Sequence, residues 1–317
     1  MKKKVEVIIL SGFLGSGKST LLSRLLSYEK KRGRKVAVLM NELGKVSIDS
    51  SVVPSDIPLK EMLNGCICCS IQGELSVQLK ELTEEHTLDV IYIEATGAAH
   101  PLDVLDACTH PLLSASIQIQ ASISVVNSKQ WLEQKMSNMM KKLITHQVKF
   151  ADIVLINKID QITENELTKV KATIEKENPS AIKQAVTFSQ MDMNILHDRN
   201  SQLGKLSEKQ RDFNTDVKSL HLKTCAIPIE GAINRIQLEE FLEENQAQLL
   251  RMKGFIRLTD SPAIYLFNYA YGFPMYERVK SEVQVSPVLV CIGEEIIQEE
   301  LEEKLKERGI VKVSQIG

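Results

Sequence analysis

Gly12-Phe13-Leu14-Gly15-Ser16-Gly17-Lys18-Ser19-Thr20 decides the reading of this chain. Its spacing is that of a Walker A phosphate loop. The flanks agree. The apolar run 5–10 before it reads as a buried strand, and leucines at helical spacing follow over 21–29. Glycines at 12, 15 and 17 let the backbone curl so that successive N–H groups face the β- and γ-phosphates. A helix opening near Lys18 adds its positive end. Lys18 is placed to put charge on the phosphate oxygens, and the Ser19 hydroxyl to ligate Mg²⁺. Gly12, Gly15, Ser16, Gly17, Lys18, Ser19 and Thr20 are therefore the expected phosphate-binding set.

Working outward, short apolar runs alternate with helical stretches. Strands are expected at 36–40, 89–93, 121–126 and 153–156, and helices at 74–85 and in a long stretch through Trp131. Thr163 followed by Glu166 has capping-box spacing and opens a helix towards Lys176. This alternation predicts an α/β domain whose mostly parallel sheet is covered by helices. Residues 197–215 are polar and poor in strand signals. The expected organisation is a P-loop domain over 1–200, a linker over 201–216, and a smaller α+β domain over 217–317. In that last part, strands are read at 217–227, 255–258, 263–269 and 288–292, and helices at 238–250 and 294–308. Tyr265, Phe267 and Tyr269 alternate on one face, which reads as core packing. The glycine and proline within 271–276 suggest a segment that leaves the sheet.

Two further strand ends carry chemistry. Asn157-Lys158-Ile159-Asp160 follows the 153–156 strand. The Asp160 carboxylate suits the N1–H and 2-amino donors of guanine, which adenine lacks, so GTP and GDP are favoured over ATP. Asn157 is placed to tie this loop to the phosphate loop, and the Lys158 stem to cover the base. Glu94-Ala95-Thr96-Gly97 ends the 89–93 strand. Glu94 is placed to hold a water of the Mg²⁺ shell, and the Gly97 N–H to meet the γ-phosphate and sense its loss. Lys18, Ser19, Glu94 and Gly97 are thus the expected catalytic set. No side chain after Gly97 is an evident water-positioning group. His100 is near enough to be considered, with a packing or turn role before Pro101 as the alternative. Slow intrinsic turnover that waits on a partner is expected.

The totals set limits. The chain has 317 residues, 43% of them apolar and 25% charged, with a net charge of -2. No global field draws it to nucleic acid or to an anionic membrane. Lys2-Lys3-Lys4 precedes an apolar run too short for a signal peptide and interrupted by Glu6, and no stretch reaches membrane-helix length. The six cysteines do not form a disulfide framework, which fits a cytoplasmic location. Cys108, Cys225 and Cys291 read as core side chains, and His197 and His221 as ordinary surface or packing residues. Cys66, Cys68 and Cys69 cluster in Asn64-Gly65-Cys66-Ile67-Cys68-Cys69. Thiolates this close can converge on a soft ion if the backbone turns at Gly65. A buried cysteine group, or a redox pair at Cys66 and Cys69, reads the same spacing equally well.

Together these pieces resemble the CobW-type P-loop GTPases, a family of metal-handling proteins. The order matches: the 12–20 loop, Asn41-Glu42-Leu43-Gly44, Ile48-Asp49, the cysteine element, Glu94-Ala95-Thr96-Gly97 with Pro101, and Asn157-Lys158-Ile159-Asp160. Arg251-Met252-Lys253-Gly254 resembles a stretch of the family's C-terminal domain. The resemblance implies a GTP-hydrolysing metallochaperone that loads or delivers Zn²⁺ or Co²⁺, held through Cys66, Cys68 and Cys69, to a client metalloprotein. It makes 41–49 a switch that senses the γ-phosphate and sets Asp49 beside Ser19 and Glu94 at Mg²⁺, directly or through water. Alternatives from other classes are a GTPase with structural or redox cysteines and a nucleotide-gated interaction module without metal transfer. A homo-oligomer is compatible with all of them. The chain departs from the family pattern at Met40, Leu43 and Lys45, where relatives place glutamate, phenylalanine and glutamate, so those accessory carboxylates have no counterpart.

Overall fold

A computed structural model of the chain describes residues 3–42, 59–63, 70–97, 99–196, 222–270, 272–279, 287–294 and 296–310. The chain divides into two compact units. One comprises Met1–Val104 and Ser116–Ser219, the other Leu105–Ala115 and Leu220–Gly317. The cysteine element, the 43–49 part of the proposed switch, the 201–216 linker, His197 and His221 lie outside the described residues.

The first unit is a seven-stranded sheet in the order β3-β2-β4-β1-β5-β6-β7. These strands are β1 (Val5–Ser11), β2 (Val36–Glu42), β3 (Leu59–Leu63), β4 (Val90–Glu94), β5 (Ile117–Asn127), β6 (Ile153–Asn157) and β7 (Ile182–Ala185). Every pairing in it is parallel. Strands β1, β4 and β6 are buried throughout, which explains why they read as continuous apolar runs rather than alternating ones. On one face α1 (Lys18–Lys31) buries Leu21, Leu22, Leu25 and Leu26 against Ile8, Leu10 and Tyr92. A second cluster packs Val126, Val154 and Ile156 against Val148, Leu167, Val170 and Ile174. Its helices are α5 (Asn138–Lys149) and α6 (Glu164–Glu177). Helices α2 (Ser70–Glu85), α3 (Pro101–Cys108) and α4 (Ser128–Glu133) complete the series up to residue 177. Glu6, which interrupts the first apolar run, is buried and paired with Arg34, Nη2 to Oε2 at 2.6 Å. Arg34 also reaches Glu29 at 3.4 Å, and Tyr92 donates to Glu29 at 2.9 Å. The buried charges are thus compensated at the N-terminal edge of the sheet.

The long helix expected through Trp131 is instead two. Gln134 adopts φ 48° and ends α4, and the Ser137 hydroxyl then accepts from Met140 N–H to start α5. The capping box at Thr163 and Glu166 forms as read.

The second unit is an antiparallel sheet in the order β12-β11-β10-β13-β8, with the short β9 (Ala232–Ile233) pairing parallel to β10. Its other strands are β8 (Leu222–Pro228), β10 (Leu249–Leu258), β11 (Ser261–Ala270), β12 (Phe273–Arg278) and β13 (Val288–Glu294). Helices α7 (Arg235–Asn245) and α8 (Gln298–Glu307) bury Leu238, Phe241, Leu242, Leu301 and Leu305 against the sheet. The helix read at 238–250 is shorter and earlier. Asn234 caps it, and Leu249 is drawn into the sheet against β13. Glu294 likewise ends β13 rather than opening a helix. The 273–278 stretch does not leave the sheet. Gly272, at φ 84°, turns the chain back so that β12 pairs with β11. Phe267 and Tyr269 are core residues, as are Cys225 and Cys291, and Cys108 is also buried.

Within this unit Lys253 is buried and paired with Asp106, Nζ to Oδ2 at 2.8 Å. His110 lies nearby. Its ring accepts from Leu112 N–H at 3.3 Å. Burial, followed by the Lys253 charge, lowers its pKa from 6.5 to about 4. The unfolded chain therefore binds more protons than the folded one between those values. Stability should be level above pH 6.5 and fall as pH drops towards 4. His110→Asn keeps the cap without the titration, and urea denaturation across this range should show a shallower decline than in the wild type.

Candidate functional site

At the C-terminal end of β1, flanked by β4 and β5, the chain enters the 12–20 loop. This is the crevice position at which parallel sheets bind ligands. Gly12, Gly15 and Gly17 take φ of 136°, 72° and 110°, a region costly for other residues. Space is as restrictive as torsion. A Cβ on Gly12 would lie 2.3 Å from the Val125 carbonyl oxygen, and one on Gly17 would lie 2.4 Å from Asn157 Nδ2. Lys18 Nζ donates to Gly12 O at 3.0 Å, holding the ammonium within the arc of the loop. No acidic residue occupies the first turn of α1, so its N-terminus stays favourable for an anion. The Ser16 hydroxyl is buried without a hydrogen-bond partner among the described residues, and Thr20 is exposed in the first turn.

Ser19 and Glu94 meet as the spacing required. The Ser19 hydroxyl donates to the buried Glu94 carboxylate, Oγ to Oε1 at 3.1 Å. Two hard oxygen donors beside a phosphate cradle suit Mg²⁺. Gly97 lies against the same loop, where a Cβ would come within 2.9 Å of Leu14 N.

Asn157 is the tie between loops. Its Nδ2 donates to Ser16 O at 2.8 Å and to Ser189 Oγ at 2.9 Å, and its Oδ1 accepts from Ser189 N–H at 2.9 Å. Lys158 takes φ 60°, and its carbonyl accepts from the Ser128 hydroxyl at 2.9 Å. Asp160 is exposed on the short turn Ile159–Gln161. A carboxylate there is open to a ligand, beside the loop that Asn157 has fixed.

Sequence reading missed Ser189, whose hydroxyl also donates to Gly17 O at 3.0 Å. It missed Gln147 as well, whose Nε2 donates to Gly97 O and Ala99 O, both at 3.2 Å. Neither stands in a motif. Both act across more than thirty positions of chain. His100 Nδ1 accepts from Leu102 N–H at 3.3 Å, and its Nε2 meets His146 Nδ1 at 2.9 Å. Asp49, Cys66, Cys68 and Cys69 fall outside the described residues. Among those that are described, no group of three or more His, Cys, Asp or Glu is arranged to hold a metal. None of the described helices is long and apolar enough to cross a membrane.

Residues 6–184 match the model of the CobW/HypB/UreG nucleotide-binding domain, and 222–308 match that of the cobalamin synthesis protein cobW C-terminal domain. The chain is 26% identical to the zinc-regulated GTPase metalloprotein activator 1 of Dictyostelium discoideum, over 83% of this chain and 65% of that protein. It is 28% identical to the zinc chaperone YjiA of Escherichia coli, over 94% of this chain and 96% of that one. The crystal structure of the Zn(II)-bound YjiA GTPase superposes with a TM-score of 0.50 at 23% identity, covering 98% of this chain and all of the other, which shows a shared fold.

Gly17→Ala should test the cradle directly. Its Cβ would displace Asn157 and strain the loop, so binding of both GTP and GDP should weaken by at least about tenfold in calorimetric titration.

Proposed function

This chain belongs to the CobW/HypB/UreG family, and from that premise we propose that it is a GTP-hydrolysing metallochaperone that couples nucleotide turnover to delivery of Zn²⁺ or Co²⁺. The observation that carries this reading is the convergence of three strand ends on one cradle. β1 brings the phosphate loop, β4 brings Glu94 to Ser19, and β6 brings Asn157 to the Ser16 carbonyl.

The residues divide by role. Gly12, Gly15, Ser16, Gly17, Lys18, Ser19 and Thr20 hold the phosphates. Asn157, Lys158 and Asp160 hold guanine, with Asp160 accepting from the two donors that distinguish it from adenine. Lys18 offsets charge that builds on the β- and γ-oxygens during transfer, and the Gly97 N–H meets the γ-phosphate. Ser19 and Glu94, with Asp49 from the switch, hold Mg²⁺ directly or through water. When bound, Mg²⁺ supplies further neutralisation of the phosphate oxygens. With no glutamine directly after Gly97, intrinsic hydrolysis is slow and a partner accelerates it.

The cargo sits on Cys66, Cys68 and Cys69. Three thiolates leave a tetrahedral ion one position short, which suits exchange with a client metalloprotein. The cysteine element and the 41–49 switch lie between the phosphate loop and Glu94 in the chain, so γ-phosphate contact with the switch sets the affinity for the ion. The names of the relatives, zinc chaperone and zinc-regulated activator, support this cargo. The thiol ligands fit a reducing cytoplasm.

Asp160→Ala should lower GTP affinity by about tenfold or more through loss of charge-assisted bonds while leaving weak ATP binding unchanged, read by competition titration. Zn²⁺ titration of anaerobically prepared protein should give different affinities in the GTP-analogue and GDP states. Cys68→Ser should weaken Zn²⁺ binding and spare nucleotide binding. Equal Zn²⁺ affinity in both nucleotide states would end the coupling.

A further inference from the structure

Helix α5 carries two consecutive side chains that grip the segment after Glu94. Gln147 is 1% exposed, and both hydrogens of its amide are used, one on Gly97 O and one on Ala99 O. His146 meets His100 at 2.9 Å. Because His100 Nδ1 accepts from Leu102 N–H, its Nε2 carries the proton and donates to His146 Nδ1. Gly97, Ala99 and His100 are thus held from one helix, and Gly97 also lies against the phosphate loop at Leu14.

Packing alone does not account for Gln147. Its Oε1 is buried with no hydrogen-bond partner among the described residues, a cost that an apolar side chain of the same shape would not incur. What the amide gains is control of two carbonyls in the segment that carries the proposed γ-phosphate contact. Turning those carbonyls towards α5 keeps them from facing the phosphates, where they would repel the anion.

We propose that Gln147 and His146 are positioning residues, a latch through which α5 holds Gly97, Ala99 and His100 against the γ-phosphate and reads the nucleotide state. The proposal rests on the GTPase reading above. Space exists for the helix to respond. A cavity of about 210 Å³ is lined by Ile144, Thr145 and Gln147 of α5 together with Gly12, Phe13 and Trp131. Trp131 is the chain's one tryptophan. It donates to the Thr173 hydroxyl at 2.9 Å, so its fluorescence reports on this wall of the cavity.

The test uses the full chain, wild type against Gln147→Met, which keeps the shape and removes both bonds. GDP should bind within about twofold of wild type, since GDP has no γ-phosphate for the latch to serve. A βγ-imido GTP analogue should bind about tenfold more weakly, and kcat should fall by about tenfold, the effect of two hydrogen bonds. The difference in Trp131 fluorescence between the GDP and analogue states should disappear. His146→Leu keeps the packing on Phe150 and should move each readout the same way by about threefold. It carries the test if Gln147→Met fails to fold. Equal losses for both nucleotides, or retained turnover with the fluorescence difference intact, would overturn the latch alone. A wild-type chain that binds neither nucleotide would overturn the GTPase reading and the latch with it.

Discussion

The phosphate loop runs so close to the ends of β5 and β6 that its backbone has no room for side chains at Gly12 and Gly17. That closeness is the constraint on which the site depends. It brings the Ser16 carbonyl within reach of Asn157 and the Gly17 carbonyl within reach of Ser189. Asn157 and Ser189 hold two of the loop's carbonyls, and the Lys18 ammonium rests on a third, that of Gly12, at 3.0 Å.

The parallel sheet supplies the rest. With β1 paired in parallel between β4 and β5, the C-terminal ends of those strands lie beside the loop that leaves β1. Glu94 reaches Ser19, and Asn157 reaches Ser16, without any long excursion of the chain. Helices bury both faces, so the sheet is held by apolar contact on each side and the polar groups gather at its end. The second unit has a separate core in which an antiparallel sheet covers one face with two helices. Its buried Lys253 is compensated by Asp106, which comes from the 105–115 stretch rather than from the C-terminal third.

The family relationship and the geometry bear on different parts of the chain. Matches to the nucleotide-binding and C-terminal models span most of the chain, and the described side chains tie together the ends of β1, β4 and β6. The three thiols proposed to carry the metal, Cys66, Cys68 and Cys69, lie outside the described residues.

Local spacing alone determined the strand-loop-helix at 12–20, the acidic strand end at Glu94, the loop that follows β6 at 157–160 and the capping box at Thr163. Each depends on residues a few positions apart, where backbone geometry leaves little choice. Element ends were less legible. The break at Gln134, the early stop of α7 and the retention of β12 follow from caps and from strand partners far away in the chain. Only tertiary structure decided that Gln147 and Ser189 belong to the site, because a hydrogen bond made across tens of residues leaves no periodic mark on the sequence. It also decided why Glu6 sits in a buried strand: Arg34, absent from any motif, stands within 2.6 Å of it.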